Sequence, residues 1–345
     1  MKTTRPFFCR FTLLPVTGYF FHPGTIFSEG LMKILFAAPE NAWGGFLHKI
    51  RNAIPEHNFK ATGHFGVDTL KGVQVLIPTM TSITREILTE ADDLRLIQQC
   101  GVGLESVDLE AARDLKIRVA NVPSDKSGNA DSVAELGIYL MIGLARDFRG
   151  MAKSLVNRKM GEPQGRALQG QTVGLVGLGG IGRALIRRLK PFDVRILGIK
   201  RKDPQKAKED LGLDWAGGPE DLGELLQKSD FVVLCLPLTR DTRQILNRNT
   251  FALMKSGAYL INLSRGGLVD RYALEKALAS GQIAGAGLDV FWEEPPDPED
   301  PIFHYNVLAT PHIGGSTDVS LRGIVEAVAE NIRRVSRNQE PFYLK

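Results

Sequence analysis

Cysteine is scarce in this chain. The three present (Cys9, Cys100 and Cys235) lie far apart with no C-x-x-C pair, which argues against both a zinc site and a disulfide framework. Cys235, inside F-V-V-L-C-L-P, reads as a core residue, and the sparse usage points to a reducing, cytoplasmic setting. An excess of charge is equally lacking. The 43 basic and 39 acidic residues leave a net of +4 spread along the sequence, too little to argue for a nucleic-acid partner. No apolar run reaches the roughly 20 residues of a membrane span, no stretch is of low complexity, and no period suggests a solenoid. What remains is an ordinary globular composition, 43% hydrophobic and 24% charged over 345 residues, a length that suits two or so domains with sizeable cores.

Residues 1–31 differ in character from the rest of the chain. They carry Lys2, Arg5 and Arg10 against one acid, Glu29, with F-F pairs at 7–8 and 20–21. Arg10 and Pro15 interrupt the apolar core that a signal peptide needs. The segment therefore reads as a disordered extension, or as sequence upstream of a true start at Met32, ahead of a targeting segment.

From Met32 onward, short apolar runs alternate with helical stretches. K-I-L-F-A-A-P (33–39), V-Q-V-L-I-P (73–78), L-R-L-I-Q-Q-C-G-V-G (94–103) and I-R-V-A-N-V-P (117–123) read as strands, with a helix around 46–54. That alternation predicts βαβ units and a parallel sheet. Residues 129–148 predict a long helix, capped by Asn129 or Asp131, with Val133, Leu136, Leu140 and Leu144 in one apolar row. It is apolar on most sides, so burial between two domains or two subunits is expected. Residues 149–171, with Gly161, Pro163, Gly165 and Gly170, read as a loop.

That loop leads into T-V-G-L-V-G-L-G-G-I-G (172–182), on which the chain is organised. Val173, Leu175 and Val176 form a buried strand that enters a G-x-G-x-x-G turn at Gly177, Gly179 and Gly182, with Gly180 and Ile181 opening a helix. In such a turn the first glycine allows the tight bend, the second lets backbone approach a pyrophosphate, and the third lets the helix pack on the strand. The unpaired N–H groups and dipole at the helix start favour phosphate. A second strand at 194–199 completes the unit. The alternation then resumes with F-V-V-L-C-L-P-L (231–238), A-Y-L-I-N-L-S-R-G (258–266), A-G-A-G-L-D-V-F (284–291) and N-V-L-A-T-P-H-I-G-G (306–315) as strands and 271–281 as a helix closed by Gly281. Each strand carries polar residues at its carboxyl end, the edge along which open α/β sheets bind ligands.

In that order, G-L-G-G-I-G, N-L-S-R-G-G-L-V-D, G-L-D-V-F-W-E-E-P and T-P-H-I-G-G resemble the D-isomer-specific 2-hydroxyacid dehydrogenases, and G-V-G-L-E-S-V-D-L-E-A-A (101–112) is similar to that family's substrate loop. The resemblance covers nearly all of residues 32–340. It implies an α/β protein of two Rossmann-like or flavodoxin-like parallel-sheet domains with the active site in the cleft between them. Residues 32–125 with 315–345 would bind substrate, and 126–314 would be an inserted dinucleotide-binding domain. The C-terminal helix (319–337) would rejoin the first domain.

Hydride transfer between a nicotinamide and C2 of a keto acid builds negative charge on the carbonyl oxygen, which needs a proton donor. The substrate carboxylate needs a cation. His312 is the natural acid, because an imidazole titrates near neutrality, at about 6.5 when unperturbed. A neighbouring carboxylate would orient it and favour its protonated form; Glu294 fits the family's E-P motif, with Glu293 as the local competitor. Arg265 offers the planar paired donors that a carboxylate takes. The resemblance assigns Arg265 to substrate binding and polarisation, Glu294 to tuning the acid and His312 to proton transfer. It has the backbone of Val102 and Gly103 grip the carboxylate and Asp289 orient the nicotinamide. It also places Pro237, Leu263, Ser264, His312, Gly314 and Gly315 along the cofactor. Taken singly, each of the three has a structural reading: a helix-entry ion pair, a solvated loop acid, a strand-end histidine. The other histidines show no partner pattern, and E-E-P-P-D-P-E-D (293–300) reads as a surface turn and not a metal loop.

The strand after the glycine turn usually ends in an acid that binds the adenosine ribose. Here Lys200 stands in that place, followed by Arg201 and Lys202, with Asp203 three residues late. Basic groups attract a 2′-phosphate, which points to NADP ahead of NAD. Two functions are expected: a reductase for a small 2-keto acid such as hydroxypyruvate, glyoxylate or 3-phosphohydroxypyruvate, or a cofactor-sensing protein like the corepressors that resemble this family. The full Arg265, Glu294 and His312 set favours the enzyme. Formate dehydrogenases resemble the family too, but usually carry Gln where Glu294 stands. The chain runs only a little past its last helix, which leaves no room for the regulatory domain of longer phosphoglycerate dehydrogenases. A side-chain pocket is expected near 43–45, 78–80 and Leu104, and the apolar helix 129–148 suggests a homodimer.

Overall fold

Apolar runs buried on both faces, the pattern of parallel strands covered by helices, build two sheets in the computed structural model, which describes residues 30–345. The expectation for residues 1–31 falls outside the described residues save for the last two. The first sheet comprises β1 (Lys33–Phe36), β2 (Asn58–Ala61), β3 (Val75–Ile77), β4 (Leu96–Gln98) and β5 (Arg118–Ala120), ordered β2-β1-β3-β4-β5. The second comprises β6 (Thr172–Val176), β7 (Arg195–Ile199), β8 (Trp215–Gly217), β9 (Phe231–Leu234), β10 (Ala258–Asn262), β11 (Ile283–Leu288) and β12 (Val307–Ala309), ordered β12-β11-β10-β9-β6-β7-β8. Every pairing is parallel. The first order is flavodoxin-like. The second is the doubly wound dinucleotide order with one strand added, and its direction reverses between β6 and β9, where such sheets open a crevice for ligand.

The helix Asp318–Ser336 returns to the first sheet, burying Val325, Val328, Ile332 and Val335 in one core with Ile34, Phe36, Phe46 and Ile50. The helix Ala42–Ala53 packs beside it, but right-handed geometry begins only after Gly45, since Trp43, Gly44 and Gly45 all have positive φ. Between the sheets runs the helix Asn129–Ala145, with Val133, Leu140 and Leu144 buried against the second sheet's core. Neither Asn129 nor Asp131 caps it; Gly128 does, at φ 73°. Both side chains are committed elsewhere. Asn129 Nδ2 donates to Ser320 Oγ at 3.2 Å, and Asp131 accepts from Arg187 and Arg188 at 2.7 and 2.6 Å. With the 2.7 Å contact between Ser132 Oγ and Thr317 Oγ1, the Asn129 bond ties together the two chain crossings that join the sheets.

The long helix stops at Ala145 and not at 148, because Asp147 turns left-handed. The segment expected as a loop begins with a further helix, Phe148–Val156, whose cap is the Asp147 carboxylate accepting from Gly150 N–H at 3.0 Å. The glycines and proline that read as loop start only at Gly161. β2 and β8 are absent from the strands expected on sequence. β2 is an edge strand without a single buried residue, and β8 is three residues long.

Candidate active site

The residues proposed from sequence lie along the carboxyl edges of β6, β7, β9, β10, β11 and β12, with the substrate loop following β4. Gly177 leaves β6 at φ 106°, and a Cβ there would sit 2.6 Å from the Cys235 carbonyl, so both the turn and the close pass to the next strand demand glycine. A Cβ on Gly182 would collide with the Gly177 carbonyl, which is how closely the helix Gly180–Leu189 approaches its strand. Gly179 has open space on its Cβ side. Its neighbourhood therefore offers a bare backbone cradle, with helix-start N–H groups, of the kind a dinucleotide pyrophosphate fills. Gly180 instead lies under Ser124 and Asp125 of the connecting segment, and Ile181 is partly buried beside it. Lys200 comes directly after the last residue of β7 and donates its N–H to the Gly217 carbonyl at 3.0 Å. Arg201 and Lys202 are exposed, and Asp203 sits beyond the strand at the start of the helix Pro204–Leu211.

Arg265, Glu294 and His312 follow three neighbouring strands, β10, β11 and β12. His312 lies just past β12 at φ 53°, and its Nδ1 is 2.7 Å from Glu294 Oε2. The other Glu294 oxygen accepts the Phe291 N–H at 3.0 Å. Burial alone would raise the Glu294 carboxyl. The hydrogen bonds from His312 and Phe291, with the positive charge of His312 and Arg265, outweigh it and hold the group below the usual range. Glu293 is exposed, so the choice between the adjacent acids falls on Glu294. Arg265 leaves β10 with Nη1 bonded to its neighbour's Ser264 carbonyl at 2.8 Å.

Asp289, at the end of β11, is buried and already heavily engaged. Its Oδ1 accepts from Thr310 Oγ1 at 2.7 Å and Ile313 N–H at 2.8 Å, and its Oδ2 from Gly314 N–H at 2.9 Å. It thus clamps the turn that carries His312, a positioning duty that the sequence did not reveal. Leu263 and Ser264 are buried too. Leu263 belongs to the core and Ser264 Oγ bonds the Leu234 carbonyl at 3.1 Å, so both side chains are turned into the protein. The Pro237 carbonyl accepts from Thr242 Oγ1 at 2.8 Å, shaping the turn after β9. Gly315 packs on Asn129.

On the opposite side, the Val102 carbonyl accepts from Asn121 Nδ2 at 2.8 Å, which pins the loop 101–105 to the end of β5. Val102 itself is half exposed. Glu105, two residues on from Gly103, reaches Arg265, with Oε1 3.6 Å from Nε. Glu105 stands inside the 101–112 motif, yet nothing in the sequence assigned it a role. Of the expected pocket residues, Trp43 and Met80 are exposed and Leu104 is partly buried. Cys235 is buried, as its place in the strand suggested. Among the described residues no cluster of three His, Cys, Asp or Glu side chains is placed to hold a metal, and no helix is long and apolar enough to cross a membrane.

A dinucleotide cradle whose sheet edge also presents a carboxylate-oriented imidazole and an arginine defines a nicotinamide-dependent oxidoreductase. Comparison with known proteins agrees. Residues 138–314 match the family model described as D-isomer specific 2-hydroxyacid dehydrogenase, NAD binding domain. The chain is 37% identical over 282 residues to the glyoxylate reductase of Pyrococcus horikoshii, covering 79% of this chain and 82% of that protein. It is 37% identical over 276 residues to the D-3-phosphoglycerate dehydrogenase of Methanocaldococcus jannaschii, covering 79% of this chain but only 52% of that protein, so it spans about half the length of that relative. The NADPH-dependent glyoxylate/hydroxypyruvate reductase of Sinorhizobium meliloti, solved with NADP and malonate, superposes with a TM-score of 0.79 at 26% identity, covering 92% of this chain and 97% of that one. The chain belongs to the D-isomer-specific 2-hydroxyacid dehydrogenase family.

Proposed function

We propose that the protein reduces a small 2-keto acid, of the glyoxylate or hydroxypyruvate kind, to the 2-hydroxy acid, in the D form where C2 is a stereocentre, with NADPH favoured over NADH. The observation that carries this is the 2.7 Å pair of His312 and Glu294 on the same sheet edge as Arg265. Arg265, with the backbone of Val102 and Gly103, binds the substrate carboxylate. His312 holds a proton at its free Nε2 for the carbonyl oxygen, while Glu294 takes Nδ1 and stabilises the imidazolium. The dinucleotide supplies the hydride when bound; Gly177, Gly179 and Gly182 suit its pyrophosphate, and Lys200 and Arg201 suit a 2′-phosphate. The matched relatives named as glyoxylate reductases, and the S. meliloti enzyme named as NADPH-dependent, support the substrate and cofactor assignments.

The domain division that goes with this reading is 32–125 plus 315–345 for substrate and 126–314 for the dinucleotide. A homodimer is supported by the helix Phe148–Val156, which has no buried residue, and by its neighbour Met160, with Leu155, Val156 and Met160 73%, 83% and 87% exposed. An apolar surface of that kind marks an interface. The dispersed cysteines support a cytoplasmic setting. The decisive experiment is oxidation of NADPH beside NADH against glyoxylate, hydroxypyruvate, phosphohydroxypyruvate, pyruvate and branched keto acids. Turnover on one of them establishes the enzyme. Tight dinucleotide binding with no turnover on any would favour the sensing protein instead.

A further inference from the structure

We infer that Glu105 is a displaceable internal counterion: its carboxylate stands on Arg265 in the place of the substrate carboxylate, and the keto acid must evict it to bind. The inference rests on the proposed role of Arg265 and of the Gly103 backbone.

The geometry is local and specific. Arg265 spends Nη1 on the Ser264 carbonyl, which fixes the guanidinium and turns its Nε and Nη2 toward the loop 101–105. Glu105 Oε1 lies 3.6 Å from Nε. A Cβ built on Gly103 would collide with Arg265 Nη2 and with Glu105 Oε2 together. Both charged groups therefore close over the α-carbon of Gly103, the residue whose backbone is proposed to grip the substrate. A carboxylate that binds between that backbone and the arginine meets Glu105 already there. The two side chains are each 38% exposed, so the pair is partly solvated and weak. It can open at small cost, unlike a buried pair, whose separation would strand a charge.

A carboxylate in this position has two consequences. It keeps Arg265 aimed at the loop in the absence of substrate, which spares the guanidinium a search through its rotamers on binding. It also competes for the same donors, and so raises the KM of every substrate that binds through one carboxylate. The cost of that competition is what an exposed ion pair is worth, equivalent to about a two- to fivefold change in affinity.

The test compares Glu105→Gln and Glu105→Asp with the wild type. It uses steady-state reduction of glyoxylate and hydroxypyruvate, and calorimetric titration of the NADPH-loaded enzyme with oxamate, a carboxylate whose other end is uncharged. Glu105→Gln removes the charge. Glu105→Asp keeps the charge but shortens the reach by one methylene, which a 3.6 Å contact does not tolerate. Both variants are expected to lower KM and the oxamate Kd by about two- to fivefold, with kcat changing less than KM. The idea is overturned if Glu105→Gln binds oxamate no more tightly than wild type. It is equally overturned if Glu105→Asp matches wild type while Glu105→Gln tightens, because that pattern marks a general charge effect and not occupancy of the site. Oxamate binding needs no turnover, so the inference is decided even if no keto acid is reduced and the proposed activity fails.

Discussion

The Glu294→Gln substitution probes the acid–base assignment most closely, because it removes the charge without changing the length or shape of the side chain. The amide has a single accepting oxygen, so it can keep the bond from the Phe291 N–H or the one from His312 Nδ1 but not both; with the oxygen on Phe291, its NH2 group faces His312 Nδ1 and favours the unprotonated nitrogen there. Glu294 is held below the ordinary carboxyl range, its burial outweighed by the His312 and Phe291 hydrogen bonds and by nearby positive charge, and so it stays ionised through the neutral range. In the native site its negative charge therefore faces His312 Nδ1 at every pH where the enzyme would work. A hydrogen bond to a charged group is worth roughly 1.5–3 kcal/mol, of which the amide keeps a part. The imidazole is 36% exposed, which screens the remainder. The loss is then on the order of 1–1.5 kcal/mol, equivalent to about a tenfold fall in kcat/KM for reduction on the high-pH limb.

The direction of the shift depends on which form of the imidazole each reaction consumes. Reduction uses the protonated acid and declines as pH rises through the midpoint of its profile. Oxidation uses the neutral base and rises through the same midpoint. Removing the negative charge favours the neutral ring, so both limbs are expected to move to lower pH. The assay is kcat/KM for keto-acid reduction and for hydroxy-acid oxidation from pH 5 to 10, in wild type and variant. Loss of activity at every pH with neither limb displaced would refute the tuning role and leave Glu294 a structural loop residue.

His312→Gln is expected to abolish turnover, by about two to four orders of magnitude if general acid catalysis is all that is lost, while dinucleotide affinity measured by fluorescence titration stays close to wild type; loss of that affinity would make His312 structural. Exchange of Lys200 and Arg201 together for Glu and Ser should raise the KM for NADPH at least tenfold and lower that for NADH, since each charged contact to a phosphate is worth roughly 1.5–3 kcal/mol; an unchanged preference would put the 2′-phosphate elsewhere. Leu155→Lys with Val156→Glu should turn a dimer into a monomer by light scattering, and a monomeric wild type at micromolar concentration would remove that proposal outright. Gly182→Ala should abolish dinucleotide binding or expression, because the Gly177 carbonyl leaves no room for a methyl group; full binding in that variant would mean the helix can shift away from its strand.

The fold was legible where sequence constraints are local. Central parallel strands need near-continuous apolar runs, and β6, β9 and β10, every residue of them buried, supplied those runs. β2 and β8 escaped because edge strands need not be apolar on both faces; they exist by pairing with β1 and β7, partners that no local window includes. The helix Phe148–Val156 was lost behind the glycines beyond its end, although Asp147 three residues before Gly150 was a readable cap. The expected caps of the preceding helix failed for the opposite reason. Asn129 and Asp131 have the right chemistry for a cap, but tertiary partners on Ser320, Arg187 and Arg188 claimed them.

At the site the same division separates what a motif carries from what the fold adds. Arg265, Glu294 and His312 lie at strand ends that can be counted in sequence, and the pairing of β11 with β12 brings the last two within 2.7 Å. Their supports come from farther away. Asp289 reaches 21 residues along the chain to bond Thr310, and Glu105 contacts Arg265 across the cleft between two sheets. Neither partnership has a spacing that a motif could encode, because each depends on how loops from different strands face one another. Only the fold shows that Asp289 accepts hydrogen bonds from the His312 turn, and that a second carboxylate stands where the substrate's is expected. A reading that stops at the motif therefore recovers the chemistry of the reaction but misses what sets its affinity. That is why the Glu105 variants should move KM more than kcat, whereas the variants of Glu294 and His312 should move the rate and its pH dependence.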